Sequence, residues 1–173
     1  MAWQVDLAHT QVSFGIRHLG ISLIRGNMAL AEATLDLDED SPESAHLTVL
    51  MDVSTLDTRD ASRDGHLKTA DFFDVEHYPH IRYESTTVQR TGDGRFSVSG
   101  NLTIRDVTRS VEFAGEYSGP VDDPISGKRK IGFELTGELI RKDWGIEWNV
   151  PMPGGFMLAD RVTLTIDAQA IET

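Results

Sequence analysis

The sequence contains no cysteine, which excludes a disulfide framework, a thiolate metal site and a cysteine nucleophile. It has no apolar run approaching the roughly 18 residues that a membrane-spanning helix needs, so no stable membrane insertion is expected. Basic residues are scarce: 16 Lys and Arg stand against 28 Asp and Glu, a net charge of −12. A surface of that sign repels phosphate backbones, and no nucleic-acid partner is expected. The segment Met1 to Asp6 lacks a basic patch followed by an apolar stretch. The expected location is therefore the cytoplasm, or the periplasm if a signal has been removed.

Chemical motifs are missing too. Gly127-Lys128 is followed by Arg129 rather than Ser or Thr, and no glycine-rich turn links a strand to a helix, which removes the nucleotide-binding loops. Neither G-x-S-x-G nor H-E-x-x-H occurs, so the common serine hydrolase and zinc protease signatures fail. No cofactor is expected. His66, His77 and His80 lie close in sequence, but their spacing matches no standard metal site; they read as hydrogen-bonded loop histidines. Asp71 and Asp74 can share one face of a helical turn, where capping and solvation are preferred to proton transfer.

What the chain has is alternation. Val12, Phe14 and Ile16 share one face of a segment, and Leu47, Val49, Met51 and Val53 repeat the rhythm. So do Ile81 and Tyr83, then Phe96 to Ile104, Val111 to Tyr117, Ile131 to Leu139, and Val162 to Ile166. A further run through Met28, Leu30, Leu35 and Leu37 slips near Ala31 to Ala33, as a bulge would make it. This is the period of half-buried strands, eight in all, in a single domain over residues 1–173. Turn chemistry separates them at Asp38 to Glu43, Gly92 to Gly94, Arg105-Asp106 and Gly119-Pro120 through Gly127. An open sheet leaves two edges to aggregate, so the expected fold is an all-β, eight-stranded antiparallel barrel.

Two connections are too long for hairpin turns: Arg59 to His80 and Arg141 to Asp160. The first predicts a short helical segment around residues 60–76, with Thr69 capping a second turn that carries Phe72 and Phe73. The second carries Trp144, Trp148, Met152, Phe156 and Met157 among prolines and glycines, a composition that suits a lipid entrance. The candidate wall residues of an apolar interior are Phe14, Ile16, Met51, Tyr83, Phe96, Phe113, Phe133, Trp144 and Trp148. Arg59, Arg63, His66 and Lys68 form the densest basic cluster, able either to hold an anionic head group or to pair with Asp57, Asp60 and Asp64.

Longer motifs then narrow the reading. Arg63 to Ser85, RDGHLKTADFFDVEHYPHIRYES, carries R-D-x-H-L, D-F-F-D and Y-P-x-I in an order that resembles the YceI-like family. Val5 to Phe14, Gly100 to Val111 and R-K-D-W-G at Arg141 to Gly145 support the resemblance over nearly the whole chain. Asp106 and Trp144 depart from the glycine and phenylalanine commoner at those positions. The resemblance implies a lipocalin-like barrel that binds a long isoprenoid lipid, often bearing a pyrophosphate or quinone-type head, and frequently a homodimer. Non-catalytic binding, storage or transport is the expected function. The alternative is an enzyme acting on such a lipid or its head group through His66 with Asp71 or Asp74.

Overall fold

The computed structural model describes residues 2–173. The chain runs β1 (Trp3–Val5), β2 (Gln11–His18), β3 (Ser22–Asp36), β4 (His46–Asp57), α1 (Ala61–Leu67), β5 (His80–Gly92), β6 (Arg95–Ile104), β7 (Val107–Asp122), β8 (Arg129–Ile140), β9 (Pro151–Met152), β10 (Gly155–Phe156) and β11 (Leu158–Glu172). Strands β2 to β8 pair in order, and β11 pairs antiparallel with both β8 and β2. That last pairing closes the sheet on itself, so no long edge remains. β1 pairs with β11 and touches β3 at Trp3–Leu35, completing the stave that β2 begins too late to fill.

The expected bulge lies at Ala31: Leu30 pairs with Met51 and Glu32 with Leu50, leaving Ala31 without a partner. Past it the register returns Leu35 to the lumen side with Met28 and Leu30.

All the elaborate connections share one end of the barrel. The β2–β3 turn, residues 58–79, Arg105-Asp106 and residues 141–157 meet there, while the opposite end carries residues 37–45, Asp93-Gly94 and the β7–β8 turn. α1 forms because Asp60 is extended and its side chain accepts from the Arg63 N–H, capping the helix within the segment expected to be helical. Thr69 does not cap a second helix: its hydroxyl donates back to the His66 carbonyl, and Asp71 to Asp74 stay in turns.

Two other turns add detail. At Arg105-Asp106 the left-handed residue is Arg105, at φ 53°. Its guanidinium donates to the carbonyls of Ala70, Trp144 and Gly145, which fixes the turn from outside. β7 continues through Gly119-Pro120 to Asp122 with a register shift after Ser118, so the turn before β8 is Asp123 to Lys128.

Candidate functional site

Inward residues of the staves enclose a cavity of about 640 Å³ that runs the length of the barrel. Its walls are mostly aliphatic and aromatic, from Ile16, Ile24 and Leu158 at the elaborate end to Leu37, Leu47 and Phe133 toward the other. Such a volume falls in the range of about 300–1,000 Å³ typical of small-ligand sites.

The barrel stays hollow because of where its aromatic rings lie. A β-carbon on Gly26 would fall inside the ring of Phe14, one on Gly115 inside Phe96, and one on Gly137 against Phe113. Each ring belongs to the glycine's cross-strand partner. Tyr83 lies in the same way over Gly100, one diagonal step along the sheet. A ring that rests flat on a bare backbone lines the wall instead of filling the centre.

The Tyr83 phenol is buried, and burial pushes its pKa well above that of a free tyrosine. It points its hydroxyl at the carbonyls of Val111 and Val98, at 3.3 and 3.5 Å, so the wall holds a neutral polar group with its hydrogen-bonding capacity directed into the backbone.

The elaborate end is a floor. Phe72, Trp144 and Ile146 are buried there, and Leu67, Phe73 and Trp148 pack against them. Arg141, 3 % exposed, ties the second connection together by donating to the carbonyls of Ile146, Trp148 and Ala159. Burial lowers its pKa, with Asp160 opposing that shift. The Trp144 indole N–H donates to the Leu102 carbonyl at 3.0 Å, pinning the connection to β6.

Among the described residues, every exposed residue that lines the cavity lies at the other end: Glu39, Pro42, Glu43, Arg90, Arg95, Tyr117, Gly119 and Pro120. The mouth is therefore there, and the two long connections expected to border an entrance instead seal the barrel. The physical reason is packing: aromatics in a long loop must bury, and here they bury against each other and against the barrel end.

Eight of the nine candidate wall residues line the cavity: Phe14, Ile16, Met51, Tyr83, Phe96, Phe113, Phe133 and Trp148. Trp144 does not; it is 2 % exposed and is spent on the floor. The basic cluster divides. Arg63 and His66 line the cavity, whereas Arg59 and Lys68 do not. Ion pairing with the neighbouring aspartates does not occur either, because those carboxylates serve the backbone and a hydroxyl: Asp57 accepts from the Arg59 N–H, Asp60 from the Arg63 N–H, and Asp64 from both donors of Thr58. His66 Nε2 lies 2.8 Å from Asp71 Oδ2, with its ring edge-on to Phe72 and Trp148. Asp74 pairs instead with His77. The sequence reading passed over the aliphatic wall, such as Leu30, Val49 and Leu164, which was legible as inward-parity positions of the same runs.

A closed antiparallel barrel with one long apolar lumen, sealed at one end and open at the other, defines a hollow ligand-cavity barrel of the lipocalin-like class. The chain belongs to the YceI-like family: the YceI-like domain matches residues 3–170. It is 37 % identical to protein YceI of Salmonella arizonae over 138 residues, covering 80 % of this chain and 71 % of that one. A mutant YceI protein of Campylobacter jejuni, crystallised with a monobromobimane guest, superposes with a TM-score of 0.77 at 29 % identity, covering 91 % and 90 % of the two chains. A polyisoprenoid-binding domain from Saccharophagus degradans shares the fold with a TM-score of 0.73 at 12 % identity, covering 100 % and 99 %.

Proposed function

We propose that this chain is a non-catalytic binder of a long-chain isoprenoid lipid, which it stores or transports with the hydrocarbon inside the barrel. The observation that carries the reading is the apolar lumen of about 640 Å³, held open by rings lying on glycines and reaching from a sealed floor to an open mouth. A flexible branched chain is the ligand such a lumen suits. Membership of the YceI-like family supports it, and so does the shared fold with a domain described as polyisoprenoid-binding.

The energetics agree. Each buried CH₂ contributes about 0.8 kcal/mol of transfer free energy, hence roughly 4 kcal/mol per five-carbon unit. Micromolar affinity requires about 8 kcal/mol net, so a few buried units offset the ordering cost of association.

Arg63 and His66, the candidates that line the cavity at the floor, are the head-group contacts of this reading. The experiment is organic extraction of the purified protein followed by mass spectrometry, with delipidated protein titrated in parallel with a prenyl diphosphate and an uncharged prenol. A stoichiometric prenyl lipid in the extract and saturable binding of both probes are expected. A protein that carries no lipid and binds neither probe overturns the reading. Replacing Arg63 and His66 together by alanine should weaken the diphosphate and spare the prenol; equal losses remove the head-group role.

The short His66–Asp71 contact favours a second reading, in which the pair acts as acid and base on the lipid or its head group. Release of pyrophosphate from a prenyl diphosphate, abolished by His66→Gln, would establish it in place of passive binding.

A further inference from the structure

We propose a second ligand site on the outer wall of the barrel, a trough that binds a phosphate or diphosphate group through Arg25, Arg59 and Arg63. It is independent of an uncharged chain in the lumen, although Arg63 lines both spaces. The trough, of about 540 Å³, lies across the outward rows of β11, β2 and β3 and ends against Asp57 to Arg59, where Phe14, Ile24 and Arg63 border both it and the lumen.

Its floor follows from register. One row across the staves reads Thr165, Ser13, Asn27 and Asp57; the next reads Thr163, Gly15 and Arg25. Gly15 supplies no side chain, and the Thr163 hydroxyl and the Leu23 side chain close over it. Of the outward groups, Ser13, Asn27, Thr165 and Arg25 can donate; the Thr163 hydroxyl already donates to the Gly15 carbonyl at 3.3 Å, Leu23 is apolar, and Asp57 Oδ1 accepts from the Arg59 N–H at 2.8 Å.

The cations are uncommitted. In a chain of net charge −12, neither Arg25 nor the guanidinium of Arg59 has a hydrogen-bond or ion-pair partner among the described residues. Arg63 donates through Nε and Nη2 to the hydroxyl and carbonyl of Thr58, which orients the fork and leaves Nη1 without an acceptor among the described residues. Three guanidiniums line the trough against one lining carboxylate, with Asp60 and Asp64 behind them committed to the Arg63 N–H and to Thr58, the setting that selects a multiply charged oxyanion over a single carboxylate.

Backbone conformation is the independent observation. Arg59 holds φ at 66°, a left-handed value that costs energy for a residue with a β-carbon and is normally left to glycine or asparagine. Keeping arginine at that position places its side chain on the trough instead of in the lumen.

The test titrates inorganic phosphate and inorganic pyrophosphate, by calorimetry, into delipidated protein and into protein whose lumen is filled with an uncharged prenol. Saturable binding of equal affinity in both preparations is expected. Arg25→Gln and Arg59→Gln, both solvent-exposed positions outside the lumen, should each weaken it about tenfold or more, the effect of losing one charged hydrogen-bonding group, while prenol binding stays unchanged. Circular dichroism checks that each variant is folded, and Arg25→Lys should recover part of the affinity. Geranyl diphosphate titrated into the prenol-filled protein distinguishes the source. Affinity equal to that of pyrophosphate assigns the site to a free anion, and tighter binding that still depends on Arg25 assigns it to a lipid head group held outside. Displacement of the anion by prenol, indifference to both substitutions, or no saturable binding overturns the proposal.

Discussion

Phe96 lies over Gly115, its cross-strand partner, with its ring in the volume that a β-carbon on that residue would need. The same ring meets that of Phe133, on β8, edge-on at 6.3 Å between centroids. Gly115→Ala should therefore lift Phe96 from the wall, both straining the strand pair and narrowing the cavity. The expected cost is about 1–3 kcal/mol in chemical denaturation, the range for overpacking. Prenol capacity should fall with it, and a variant of full stability and full capacity would show that the ring has room elsewhere.

Arg141 supports the floor from within. Arg141→Ala removes the donors to the Ile146, Trp148 and Ala159 carbonyls at a nearly fully buried position. A loss of about 3 kcal/mol or more is expected. Amide exchange should quicken across residues 145–159 first, because those carbonyls hold the connection down. Arg141→Lys should rescue little, since one ammonium cannot reproduce the fork.

The three tryptophans should respond differently to a bound chain, because Trp148 lines the cavity while Trp3 and Trp144 do not. Quenching by a brominated prenol should vanish in Trp148→Phe and persist in Trp144→Phe. The latter variant should lose about 1–3 kcal/mol of stability, because its phenyl ring cannot donate to the Leu102 carbonyl. Its prenol affinity should match that of the unmodified protein.

His77 accounts for a local pH dependence. The hydrogen bond to Asp74 and then the charge of that carboxylate raise its pKa above 6.5. A raised folded-state pKa stabilises the fold fully below the unfolded value and loses that contribution as pH rises through the folded value. Proton NMR titration should place the His77 midpoint above that of a free histidine, and Asp74→Asn should lower it. Asp74 holds φ at 50°, which asparagine tolerates, so the variant changes charge without forcing the turn.

The local and periodic features were legible in the sequence. Eight alternating runs become the eight closed staves, the slip at Ala31 becomes a bulge, and the stretch after Asp60 forms the short helix. These follow from interactions between near neighbours: side-chain parity along a strand and a carboxylate three residues from an amide. Parity also picked out inward aromatics, because a residue's face is set by its place in the alternation.

Tertiary structure decided what those side chains accomplish. Whether Phe14 or Phe96 fills the lumen or lines it depends on the glycine opposite, a partner fixed by strand register. Trp144 and Trp148, four positions apart in one irregular segment, separate into a floor anchor and a wall because the anchor's acceptor, Leu102, belongs to β6. Arg59 and Arg63 meet on the outer trough, but only Arg63 also lines the lumen, because it lies on a helix turned toward the cavity. Which end opens was also beyond the sequence. Loop length and aromatic content mark a segment that must bury something, but only the packed barrel shows that it buries itself, leaving the short turns to frame the mouth.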